Sequence, residues 1–148
     1  MSFDLKLYQG DFLLDSAGRP VRVIESQKLT QDVLKIILTE KGSNPYHPRY
    51  GSYVHAHAVG QSFSNSFIIK NKVYDSVDQA VQYLQQLQDQ QRLTQRVDPA
   101  ELILAIEDSH VWVDEADPRQ YNVNVVVLSE YLTNIETSFA FTLQDISA

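Results

Sequence analysis

Residues 121–143, YNVNVVVLSEYLTNIETSFAFTL, hold two runs of patterned apolar residues around a polar break. In the second run Ile135, Thr137, Phe139, Phe141 and Leu143 keep strict period two against Glu136, Ser138, Ala140 and Thr142. That period puts the two sets on opposite faces of a pleated strand, and β-branched and aromatic side chains suit its half-buried face. In the first run Tyr121, Val123, Val125 and Val127 alternate with Asn122 and Asn124 before the run becomes wholly apolar. Upstream, the nearly continuous apolar stretch Leu102 to Val113 reads as a third strand, with turn material at Asp114 to Arg119 and at Thr133-Asn134. The three runs predict a C-terminal antiparallel meander.

Just before it, Asp98-Pro99-Ala100-Glu101 offers an N-cap, a first-turn proline and a glutamate three residues on, the residues of a capping box at a short helical turn. Further back, Asp75 or Ser76 reads as the cap of a helix whose Val77, Ala80, Val81, Leu84 and Leu87 form an apolar stripe. Eight glutamines between 79 and 95 read as its solvated face, or as a face laid against another helix in an assembly. Residues 52–74 show no clean period, and their element types stay open. An earlier helix, capped by Ser26, repeats Leu29, Val33, Ile36 and Ile37 at three- and four-residue steps, with Leu34 and Leu38 widening the stripe beyond a narrow seam. At the start, residues 5–8 and 11–15 flank Gln9-Gly10, and Ser16 to Pro20 turns the chain into Val21 to Ile24, a small hairpin with a possible third strand. The expected architecture is α+β: an antiparallel sheet, C-terminal meander plus N-terminal hairpin, with two helices packed on it.

Composition narrows the function. A chain of 148 residues fits one domain, 1–148, and 43% hydrophobic with 21% charged residues is ordinary globular material. A net charge of −7 repels nucleic-acid phosphates and anionic membrane surfaces. No cysteine is present, so disulfides and thiolate metal sites are excluded. The first residues lack a signal-peptide pattern, and no apolar run approaches the roughly 20 residues that span a bilayer. These features lead to the expectation of a soluble protein made in the cytoplasm.

Residues 38–52, LTEKGSNPYHPRYGS, leave the first helix at Gly42 and run through Asn44-Pro45 and His47-Pro48 to Tyr50-Gly51. Proline fixes its own φ and keeps the preceding residue extended, so this loop has little freedom. Tyr46, Arg49 and Tyr50 on a stiff backbone have the composition of a contact surface. The plain alternative is a helix-exit loop folded back on its own core.

The order and spacing of Gly10-Asp11-Phe12, Gln31, Leu38-Thr39, Lys41-Gly42, Pro48 and Tyr50-Gly51-Ser52, with Asp98 to Ile103 less tightly, resemble one family. It is the baseplate wedge proteins, or sheath initiators, of contractile phage tails: the gene twenty-five-like or W-like baseplate family, with relatives in type VI secretion and other contractile injection systems. Many members carry Glu-Pro-Arg where this chain has Asp98-Pro99-Ala100, so that arginine's contact does not carry over. The resemblance implies a structural subunit without cofactor, located in the virion's tail baseplate and assembled in the host cytoplasm. It implies partners in the tail sheath protein and in other wedge and tube- or hub-proximal proteins, with six copies around the tail axis and the first sheath ring templated on its sheet edge. The partner-binding candidates are Lys41, Gly42, Tyr46, Pro48, Arg49, Tyr50 and Gly51 in the loop, and Ile135, Thr137, Phe139 and Thr142 on the last strand. That strand carries only Glu136 as a charged guard against aggregation, which suits an edge that a partner covers.

Two other readings compete. Relatives have been labelled lysozyme-like, and a muramidase would need a carboxylate pair; a pair such as Glu40 and Asp11 can be nominated from 19 acidic residues, which carries little weight, and one Glu→Gln change at Glu40, Glu101 or Glu107 would test it. The third is a cytoplasmic adaptor that captures one partner by strand addition. Of His47, His55, His57 and His110, only His55 and His57 could share a face, in an extended segment, and a zinc site would need another ligand or two from elsewhere, so solvated or core-lining histidines are the default reading. No phosphate-binding glycine loop or nucleophile triad is visible.

Overall fold

The computed structural model describes residues 3–54 and 66–143. Strands β1 (Asp4–Leu5), β2 (Leu7–Tyr8), β3 (Asp11–Phe12) and β4 (Arg22–Val23) precede helix α1 (Glu25–Leu38). Helix α2 (Ser66–Arg92), a 3-10 turn (Pro99–Glu101) and strands β5 (Ile103–Val113), β6 (Gln120–Ser129) and β7 (Asn134–Thr142) complete it. The fold is α+β, as the periodicities predict.

The meander has the order β5-β6-β7, with β6 antiparallel to both neighbours. Period two on β6 sends Val123, Val125 and Val127 to one face, where all three are fully buried. Leu29, Val33, Ile36 and Ile37 of α1 and Val73, Val77, Ala80 and Val81 of α2 meet that face, so one core lies between the sheet and both helices. Each fully buried Val, Leu or Ile contributes about 1.5–3 kcal/mol. The continuous apolar run at β5 has a different cause from burial on two faces. Its register shifts between Ile103 and Ala105 and again between Ile106 and Asp108, so alternation restarts twice and Leu104, Ala105, Glu107 and Asp108 stay exposed.

Three local expectations need correction. The second helix begins at Ser66 and not at Asp75 or Ser76; Ser76 is 4% exposed inside it, because Ile69 and Val73 extend the stripe one turn after another ahead of Val77. The first helix is capped at Ile24, with no side-chain cap from Ser26. Instead Glu25, at φ +53°, donates its N–H to Glu101 Oε1 at 3.2 Å, a cap delivered from 76 residues away. Asp98 caps the 3-10 turn as expected, accepting from Ala100 N–H at 2.9 Å, but the glutamate reaches α1 where a capping box would turn it back. Leu38 is 56% exposed and Leu34 half-buried, so the widened stripe of α1 is not all core.

The N-terminal strands pair among themselves, apart from the meander: β1 with β4, and β2 with β3 across Gln9-Gly10. Three backbones meet at one point, where Lys6 N–H donates to Val21 O (2.8 Å), Val21 N–H to Leu13 O (2.9 Å) and Leu13 N–H to Lys6 O (2.9 Å). Gln31 fastens this unit to α1: its Oε1 accepts from Leu7 N–H (2.9 Å), and its Nε2 donates to Leu5 O and Asp4 Oδ2, each at 2.8 Å.

Candidate functional site

The loop after α1 closes on itself. Ser52 N–H donates to Thr39 O at 2.9 Å and Lys41 N–H to Ser52 O at 3.1 Å, a short parallel bridge. Ser52 Oγ donates to Ile37 O at the end of the helix. Gly51 is buried at φ +119°, and a Cβ there would stand 2.6 Å from Thr39 O and 2.8 Å from Lys41 N. Only glycine fits that approach.

The loop candidates then separate into two kinds. Tyr50 packs half-buried against the core; burial first, then the carboxylates of Asp32 and Asp4, push its hydroxyl up to about 12. Gly42, at φ +89°, and Gly51 shape the backbone. Arg49 lies 5.0 Å over the Tyr83 ring of α2, and Lys41 Nζ lies 4.9 Å over Tyr53. Tyr46, 89% exposed, and Pro48, also exposed, point away from the core. The fold-back reading therefore describes Tyr50 and Gly51, while Tyr46, Pro48 and Arg49 remain on the surface.

The two sheet edges differ. Ser129 N–H donates to Thr133 O and Leu143 N–H to Arg119 O, which fixes the phase of the β6–β7 ladder: odd-numbered residues of β7 bond to β6 and even-numbered ones turn their N–H and C=O outward. Ile135 and Thr137 are buried, Phe139 is half-buried, and the backbone groups of all three are engaged with β6. Thr142 alone among the β7 candidates has an outward N–H, shared in kind by Asn134, Glu136, Ser138 and Ala140. No hydrogen bond among the described residues reaches those five N–H groups. Nine register pairs run along this strand without a bulge.

On β5 the same phase turns Val111 outward, and its N–H is taken by Tyr74 Oη at 3.0 Å. Gln85 Nε2 bonds Ile103 O and Leu104 O, both at 3.3 Å, while Gln88 donates to Glu101 O and accepts from Ile103 N–H, both at 2.9 Å. Helix α2 thus covers part of this edge with side chains, and the bulges distort the rest. By sequence these glutamines read as a solvated face or as one laid against another helix in an assembly; Gln85 and Gln88 instead bond the β5 end of their own sheet. Gln88, 5% exposed, continues the Ala80, Leu84 spacing, and that spacing was the available signal.

Charged groups near the loop form pairs. Lys28 Nζ meets Asp32 Oδ2 at 2.6 Å, and Lys35 Nζ meets Asp4 Oδ2 at 2.6 Å. Burial raises the Asp32 carboxyl above its ordinary range despite Lys28. Burial also works to raise Asp4, but hydrogen bonds from Lys35, Gln31 and the Leu5 N–H outweigh it and hold that carboxyl low. Among the described residues no group of three or more His, Asp and Glu side chains is placed to hold a metal, and no helix is long and apolar enough to cross a membrane. His55 and His57 lie outside the described residues; His110 stacks on Trp112 with centroids 5.3 Å apart.

No family model matches the chain, and no curated protein matches it. Three chains of solved structures match. One is the crystal structure of a "putative tail lysozyme" from Geobacter sulfurreducens, 14% identical, with a TM-score of 0.59, covering 93% of this chain and 100% of that chain. At that identity the likeness is one of fold.

Proposed function

We propose that this protein is a non-enzymatic structural subunit of a contractile tail baseplate, seated in the virion, that joins the wedge to the tube-proximal region and templates the first sheath ring by strand addition at β7. The observation that carries the reading is the asymmetry of the sheet: on β5 the outward N–H groups of Ile103 and Val111 go to α2 and two bulges break the register, while the unbulged β7 has five outward N–H groups without a partner among the described residues. The fold likeness to a protein described as a tail component supports the same setting. Each backbone bond to an added strand is worth about 0.5–1.5 kcal/mol net, so a ladder tolerates side-chain change better than loss of an N–H.

Proline at an even position removes an outward donor without touching the β6–β7 ladder. Thr142→Pro is expected to leave the domain folded and to block sheath polymerisation on it. Normal polymerisation on a folded Thr142→Pro subunit would remove β7 as the docking edge.

A muramidase is the second reading, favoured by the neighbour's description and by Asp32, a carboxyl that burial raises as a general acid requires. Lys28 at 2.6 Å holds that carboxylate in an ion pair, and turnover would need a second carboxylate across a sugar cleft. Purified protein is expected to release no peptidoglycan fragments above a heat-killed control. Release that is lost in Asp32→Asn, Glu40→Gln or Glu107→Gln would establish the enzyme instead.

A further inference from the structure

A groove of about 670 Å³ lies between the β2–β3 hairpin and α1. Leu7, Val23, Leu34 and Leu38 form its apolar wall, and they include the two α1 residues that widen the helix stripe without entering the core. Leu38 is 56% exposed and Leu7 38%. Among the described residues, Lys6 and Lys35 are the charged ones that line the groove, in a chain of net charge −7. Lys35 is paired with Asp4, whereas Lys6 makes no ion pair among the described residues, so the groove carries unbalanced positive charge.

We propose that this groove docks an acidic amphipathic helix of another protein, its apolar side chains against Leu7, Leu34 and Leu38 and its acidic flank toward Lys6. The inference is independent of the β7 reading. Charge complementarity selects the sign of the flank. A strand is disfavoured as the occupant because Gln31 already takes Leu7 N–H and Leu5 O, leaving those backbone groups nothing to offer. A second copy is disfavoured because the chain's net charge of −7 opposes self-association, and the exposed apolar residues of its helices, Leu38 on α1 and Phe67 and Ile68 on α2, do not form a continuous stripe. The volume suits several large side chains, as a helix presents at i, i+4 and i+7.

The test uses fluorescence anisotropy with the intact chain and a fluorescein-labelled, stapled 14-residue helix carrying leucines at i, i+4, i+7 and i+11 between glutamates. A sister peptide carries lysines in place of the glutamates. The glutamate peptide is expected to bind saturably and about tenfold tighter than its sister, with Lys6→Glu reversing the order. Leu38→Ser is expected to weaken binding at least about tenfold, while circular dichroism and melting temperature stay at the parent's values, since the side chain is mostly exposed. Absence of saturable binding, equal affinity for both peptides, or indifference to Lys6→Glu would overturn the proposal. Concentration-dependent dimerisation lost in Leu38→Ser would also overturn it, by assigning the face to a second copy.

Discussion

Gly51→Ala tests how the loop after α1 is built. The residue sits at φ +119°, outside the region that L-residues adopt, and its missing Cβ leaves room for three backbone atoms: Thr39 O at 2.6 Å, Lys41 N at 2.8 Å and Glu40 C at 3.0 Å. Backbone of a paired bridge cannot swing aside as a side chain does. The conformational cost is about 1–3 kcal/mol, and displacing the bridge adds roughly 1–3 kcal/mol of overpacking. The sum, about 2–6 kcal/mol, lowers the melting temperature by about 5–20 °C for a chain of this size. Gly42→Ala is the control: φ is +89°, but nothing lies within 4 Å of the added carbon. It should cost only the conformational part, about 1 kcal/mol. Calorimetry of both variants decides. A Gly51→Ala protein melting within about 2 °C of the parent, or no lower than Gly42→Ala, would refute the close approach on which the loop's rigidity rests.

Gln31→Ala removes three hydrogen bonds between the N-terminal strands and α1 and should cost about 1.5–3 kcal/mol, with faster hydrogen exchange at Leu7; unchanged exchange there would show that the hairpin is held otherwise. Glu101→Gln keeps an acceptor for Glu25 N–H and removes a buried carboxylate oxygen without a partner among the described residues, so stability should match or exceed the parent's, whereas Glu101→Ala should lose about 1–3 kcal/mol. A glutamine variant less stable than the alanine one would contradict this. Because the Asp4 carboxyl is held low in the fold, its contribution is fully present above the ordinary aspartate range near pH 4 and is lost as pH falls through the lowered value. Acid titration of stability should therefore be shallower in Asp4→Asn than in the parent, and identical limbs would show that the pair with Lys35 does not matter.

Much of the fold is written in local spacing. Leu29, Val33, Ile36 and Ile37 mark the buried side of α1, and the alternation from Ile135 to Phe141 marks β7 together with its inward face. What local pattern could not carry depends on partners distant in sequence. The cap of α1 comes from Glu101, so Ser26, a good capping residue by type, was the wrong local choice. The bulges of β5 erase its period, and without a period the exposed edge looks like a buried strand. Leu132 turns the β6–β7 corner at φ +61° with no glycine to announce it. For the candidate site, residue type alone grouped Tyr50 with Tyr46, but one packs on the core and the other projects from it. The open edge of β7 was legible as a possibility; the partial cover of β5 by Tyr74, Gln85 and Gln88, which with the bulges leaves β7 the more regular open edge, was not.

A cryo-electron reconstruction of the assembled tail tests the central claim most directly. The account predicts this chain at the baseplate, with a strand from a sheath subunit bonded to the even-numbered N–H groups of β7 from Glu136 to Thr142. A particle in which that edge faces solvent, in which the sheath strand lies on β5, or from which this chain is absent would contradict it.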